Sequence, residues 1–150
     1  AKRFWPTIRL GVLTSVLYTQ LKVLEESRSL QDRSRLIEMH IYFQSLVDMT
    51  ETIVIRDGII YFDDLDNKGK DKSATKKMYF ETHGEGVYRH LCYTDSLEGI
   101  GGSGEAHQRF AKIRNFSLVM DGADLVLRAS AGNETIETYI FVQKTIIYIE

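Results

Sequence analysis

The sequence has one proline, one cysteine and no run of 18 apolar residues. A lone cysteine, Cys92, excludes an internal disulfide framework and any zinc site built from cysteines. Without a long apolar run there is no complete membrane span. A dominant charge is also missing. Nineteen basic and 21 acidic residues leave a net charge of −2, which argues against bulk electrostatic capture of DNA or of anionic lipid. What is present suits a folded chain: 43% hydrophobic and 27% charged residues are too apolar a mixture for disorder over most of the length. The 150 residues fit one domain, or one domain with an extended element.

Lys2 and Arg3 precede a partly apolar stretch, residues 10–18. The following Thr19-Gln20-Leu21-Lys22 supplies no small-residue cleavage site, so an ordinary amphipathic helix is expected there rather than a secretory signal. Ala1, in place of an initiator Met, is expected to mark a processing boundary or an excised end rather than the start of a gene.

Residues 12–57 contain neither Gly nor Pro, and Pro6 lies where a helix would begin, its missing N–H costing nothing in the first turn. Leu10, Leu13, Leu17, Leu21 and Leu24 recur at helical spacing. So do Leu36, Met39, Phe43 and Leu46, with Ile37 and Val47 expected to widen that second face. The residues between the stripes are polar except for Leu30. Two arrangements fit: two helices joined near residues 27–34, or one long helix with a solvated waist. No helix breaker marks a turn, which favours the single helix. Over residues 7–49 it would run about 65 Å. A compact chain of this size has a radius of gyration of only about 15 Å, so the first half would protrude. An exposed Leu stripe of that kind needs a partner. The second stripe is expected to pack on a sheet, chiefly through Phe43 and Leu46.

Beyond Thr50 the apolar period falls to two. Thr52-Ile53-Val54-Ile55 and Ile59-Ile60-Tyr61-Phe62 flank a turn holding Asp57-Gly58. Lys77-Met78-Tyr79-Phe80 and Val87-Tyr88-Arg89-His90-Leu91 flank Gly84-Glu85-Gly86. Phe116-Ser117-Leu118-Val119-Met120 and Leu125-Val126-Leu127-Arg128 flank Asp121-Gly122. Gly132-Asn133 leads into residues 135–149, rich in β-branched and aromatic side chains. Strands joined through hairpins predict an antiparallel sheet, hence an α+β fold: a long N-terminal helix over residues 1–50, its first half an assembly segment, and an antiparallel β domain over residues 51–150.

The motifs that could carry chemistry are weak. Gly99-Ile100-Gly101-Gly102-Ser103-Gly104 fits the dinucleotide fingerprint, but too few residues follow for a helix, so a loop is expected. Asp64-Leu65-Asp66-Asn67-Lys68-Gly69 resembles a calcium loop with a lysine where an oxygen ligand belongs and Thr75 at the twelfth position. His40, His83, His90 and His107 form no metal-ligand pair on one element. His90 and Cys92 share a strand face, where a half-buried cysteine is expected rather than a Cys–His nucleophile. Lys68, Lys70, Lys72, Lys76 and Lys77 lie among Asp63, Asp64, Asp66 and Asp71, which predicts a solvated loop. No catalytic residue, cofactor site or metal site is expected, and the sequence is not read as that of an enzyme.

The order of elements resembles type IV pilin-like subunits, and within them the minor pseudopilins of Gram-positive competence systems, the ComGF-like group. The blocks carrying the resemblance are Arg35-Leu36-Ile37-Glu38-Met39-His40-Ile41-Tyr42-Phe43-Gln44-Ser45-Leu46 on the helix and Gly102-Ser103-Gly104-Glu105-Ala106-His107-Gln108-Arg109-Phe110, leading into Ile113-Arg114-Asn115-Phe116-Ser117-Leu118. The closing strands, residues 125–129 and 135–142, complete it. Phe4-Trp5-Pro6-Thr7-Ile8 departs from the family's processing pattern, with neither its Gly nor its Glu, and Arg9, Gln20 and Lys22 interrupt the apolar stretch.

The resemblance implies a structural subunit at the extracytoplasmic face of the cell envelope, membrane-associated before it joins a filament for DNA uptake. Direct membrane insertion of the stretch as it stands is not expected. The implied partners are other pilin-like subunits, in a hetero-oligomer bundled through Leu10, Leu13, Leu17, Leu21 and Leu24. DNA would be handled only indirectly. The alternative is a soluble α+β ligand- or protein-binding domain without catalytic activity, in which both Leu stripes are buried.

Overall fold

A computed structural model describes residues 4–64, 76–93, 106–143 and 145–149, and the helical side chains from Leu17 onward. One unbroken helix, α1 (Phe4–Met49), holds 46 residues and so runs about 69 Å. The polar waist does not break it, because Glu, Gln, Arg and Ser lose little in a solvated helix. The helix ends where the Thr50 amide still donates to the Leu46 carbonyl, at 2.9 Å. There Thr50 Oγ1 accepts from the Asp63 amide at 3.1 Å, and the Glu51 amide donates to the Asp63 carboxylate at 2.8 Å.

Among the described residues nine strands follow: β1 (Thr52–Arg56), β2 (Ile59–Asp63), β3 (Lys76–His83), β4 (Gly86–Tyr93), β5 (Ala106–Ala111), β6 (Arg114–Asp121), β7 (Asp124–Ala131), β8 (Glu134–Ile140) and β9 (Thr145–Ile149). The expected hairpins pair as β1–β2, β3–β4 and β6–β7, all antiparallel. At the first turn Asp57 and Gly58 both have positive φ, 52° and 76°. That is the backbone a two-residue turn needs if it is to match strand twist, and Asp-Gly adopts it readily.

The fold is α+β as expected, a long helix packed on mostly antiparallel strands. Among the described residues the strands divide between two sheets rather than lying in one, in the orders β5-β4-β3-β2-β1-β9 and β6-β7-β8. β9 joins the first by pairing parallel with β1, Thr52 to Thr145 through Arg56 to Ile149. The cause lies at residues 141–143, where the apolar run 135–149 breaks. Gln44 on α1 donates to the Phe141 carbonyl and accepts from its amide, both at 3.0 Å. The Val142 amide donates to Asp124 at 3.1 Å. Side chains thus take over backbone groups that a continuing strand would have used, and the chain passes from one sheet to the other. β5 is a further difference: Ala106–Ala111 is exposed at all but one of its residues, so no alternation announces it.

The helix–sheet core contains Leu36, Met39, Phe43, Leu46 and Val47, each no more than 2% exposed. They pack with Ile53, Ile55, Ile60, Phe62 and Met78 of the larger sheet and with Leu125, Leu127, Ala129 and Ile140 of the smaller. Phe43 is the hub. Its ring centroid lies 4.9 Å from Phe80, 5.4 Å from Tyr42, 5.6 Å from Phe116, 6.1 Å from Phe110 and 6.3 Å from Phe62. Ile37 does not widen this face, contrary to expectation. It is 53% exposed, because the turn of the helix carries it away from the side that holds Leu36 and Phe43.

Candidate assembly surface

Residues 17–28 of α1 are exposed without exception, so the first part of the described helix stands clear of the β domain. Leu17, Leu21 and Leu24 are 59%, 60% and 54% exposed. Leu10 and Leu13 belong to the same helix, and their side chains lie outside the described residues. The contrast with Leu36, Met39, Phe43 and Leu46, all buried, sets an exposed stretch of the helix, residues 17–28, against a packed half.

The junction between the halves is a latch to the β7–β8 turn. Ser29 Oγ donates to one oxygen of Glu134, and Arg33 Nε donates to the other at 3.1 Å. The Ser29 bond, then that of Arg33, holds the Glu134 carboxyl below the usual carboxylate range. Gly132 sits against Asp32 with φ of 57°, where any Cβ would collide with the Asp32 carboxylate. The helix and the turn therefore meet at closest approach just where the Leu stripe becomes free.

A second exposed stripe escaped the sequence reading. Val23, Leu30, Ile37 and Ile41 are all exposed. With Ser27 and Ser34 they follow a 4-3-4-3-4 spacing along one side of the helix, the repeat that suits packing against another helix. The signal was present in the sequence. It was hidden because Ile37 also adjoins the core stripe.

The other chemical candidates do not assemble into a site. The Gly-rich segment 99–104 lies outside the described residues, and the element that follows it is the strand β5, not the helix a dinucleotide site needs. Asp64 is buried, while residues 65–69 of the calcium-like run, like Lys68, Lys70 and Lys72, lie outside the described residues. Lys77, expected in a solvated loop, is instead 4% exposed on β3 and paired with Asp63. Among the described residues, no group of three His, Cys, Asp or Glu side chains is placed to hold a metal. No described helix is long and apolar enough to cross a membrane.

His90 and Cys92 share the outer face of the larger sheet but are engaged separately. His90 stacks on Tyr79 at 4.8 Å and approaches Glu81 at 2.7 Å, whereas Cys92 Sγ donates to the Lys77 carbonyl at 3.6 Å. Val54, Tyr61, Tyr79 and Cys92 form a second, smaller buried cluster there. Burial pushes the Cys92 thiol up to about 11, against the opposing pull of Lys77. Burial, then Glu81, pushes the Tyr79 phenol up to about 12. Burial, then Cys92, raises Tyr61 as well. Such a thiol is a packing group, not a nucleophile.

These folded-state values exceed the ordinary ones of 9.0 and 10.0, so the cluster's contribution to stability is fully present below about pH 9. It is lost as pH rises through 11 to 12. Urea midpoints measured between about pH 8 and pH 11 should fall, and Tyr79→Phe should flatten part of that fall. A slope unchanged by Tyr79→Phe would remove the phenol from this account.

Compared with known protein families, with curated proteins and with solved structures, the chain finds no match.

Proposed function

We propose that this protein is a minor pseudopilin-like structural subunit of a competence (DNA-uptake) or type II secretion-like filament. It acts by helix bundling and subunit contacts at the extracytoplasmic face of the envelope. One observation carries the proposal: a single helix buries its second half in the β domain and offers Leu17, Leu21 and Leu24 to solvent on its first. Exposed apolar stripes of this length cost solubility unless a partner covers them. The 3-4 spacing of that stripe suits a neighbouring helix. The partners proposed are other pilin-like subunits. With a net charge of −2, DNA is reached through the assembly rather than captured by this subunit. The alternative, a soluble binding domain, requires both Leu stripes to be covered in a compact monomer, and the exposure of the first stripe runs against it.

Deleting residues 1–28 tests the division of labour. Side chains 17–28 make no core contact, and the latch begins at Ser29. The shortened protein should remain folded, β-rich and soluble by circular dichroism, and should lose by size exclusion any association that the exposed Leu stripe drives. Its Tm should stay close to that of the full chain, since exposed side chains contribute within about 0.5 kcal/mol each. An unfolded product would show that the first half of the helix belongs to the fold, and the proposal would fail.

A further inference from the structure

The strand β9 ends the larger sheet, pairing with β1 on one side and with no other described strand on the other. Its sequence, Thr-Ile-Ile-Tyr-Ile, has no charge, no Pro and no Gly. Ile147, Tyr148 and Ile149 are 43%, 66% and 39% exposed. Sheet edges are normally blunted by charges, bulges or prolines, because their open N–H and C=O groups template further pairing. The other described edges of this protein follow that rule. β5 carries Arg109, and its pairing with β4 is broken by a register shift at Val87/Tyr88. β6 begins at Arg114 and ends at Asp121, with a shift of its own, and β8 carries Glu134 and Glu137. β9 has none of these guards, and its pairing with β1 runs in unbroken register over all five residues.

We infer that β9 is a docking edge for a second copy of this chain, joined antiparallel through β9 of each copy about a two-fold axis at Ile147. The row of open backbone groups selects an extended strand as occupant, with main-chain hydrogen bonds supplying affinity. The strand's own sequence selects a second copy. In that register Ile147 meets Ile147 and Ile146 meets Tyr148, β-branched and aromatic pairings that stabilise adjacent strands. The joint runs the two larger sheets into one. It uses no residue of the helix stripe, so it stands or falls apart from the filament proposal.

Cross-linking of the full chain reads the register directly. Opposed residues of an antiparallel pair have Cα atoms about 4.5 to 5.5 Å apart, within reach of a disulfide. Ile147→Cys should therefore form a disulfide-linked dimer when oxidised glutathione is added. Cys92 is buried at 4% exposure and should not contribute. Ile149→Cys is the matched control: it lies on the same face, with similar exposure, but its own mate would be about 13 Å away. It should stay largely unlinked. The same pattern should persist when Leu17, Leu21 and Leu24 are replaced by serine, which separates this joint from helix bundling. In sedimentation, Ile147→Lys should weaken dimerisation about tenfold or more by setting like charges at the axis. Absence of the Ile147→Cys dimer, or equal linking at both positions, would overturn the inference. So would a wild-type strand edge occupied by another segment of its own chain.

Discussion

Replacing Phe43 by alanine should lower stability by about 3 to 5 kcal/mol, the range for deleting a buried aromatic ring. For a chain of this length the loss corresponds to roughly 10 °C in Tm. Phe43 is fully buried, and its ring touches aromatic side chains from β2, β3, β5 and β6 as well as Tyr42. Those neighbours belong to both sheets, so the vacated volume cannot close by the movement of one element. Loss of the ring also removes edge-to-face contact with Phe80, which is worth more than its area alone. Urea unfolding followed by tryptophan-independent circular dichroism would measure the change. A loss below about 1 kcal/mol would mean that the hub is not what joins helix to sheets.

Asp63→Ala should be nearly as damaging, at about 3 to 5 kcal/mol, for a different reason. Lys77 is 4% exposed, and its ammonium has the Asp63 carboxylate as its charged partner, with Thr52 Oγ1 at 3.4 Å as a second acceptor. Removing the carboxylate strands a buried charge and frees the Glu51 amide that bonded to it at 2.8 Å. Lys77→Met should cost less, because Asp63 is partly solvated, at 17% side-chain exposure, and keeps its backbone donor. The double variant Asp63→Ala/Lys77→Met should recover a substantial part of the single loss, since no charge is then left unpaired. Strict additivity of the two single effects in denaturant titrations would refute the coupling.

The long helix and the hairpin turns were legible because their signals are local. A stretch free of Gly and Pro sustains a helix across its polar waist, and Asp57-Gly58 marks a turn whose positive φ few other pairs tolerate. The packed and free Leu stripes could be told apart only by length: a helix near 69 Å cannot hide inside this domain. The split into two sheets was not legible. It depends on Gln44, an unremarkable helix-surface residue in the sequence, meeting the backbone of Phe141 from far along the chain. The parallel union of β1 with β9 was hidden for the same reason, since apolar strands do not announce their neighbours. β5 lacked alternation, and Lys77 looked solvated because its neighbours are charged and its partner Asp63 lies on another strand. The outer stripe of Val23, Leu30, Ile37 and Ile41 could have been found by its heptad spacing.

The latch of Ser29 and Arg33 on Glu134 has a mechanical consequence. The exposed stretch of α1, residues 17–28, is a lever arm of about 18 Å whose fulcrum is that latch. A sideways load at the far end is multiplied into torque at the root, where two hydrogen bonds and the Gly132 approach resist it before the buried aromatic hub does. Strain applied along the rod should therefore peel the β7–β8 turn first and reach the larger sheet last.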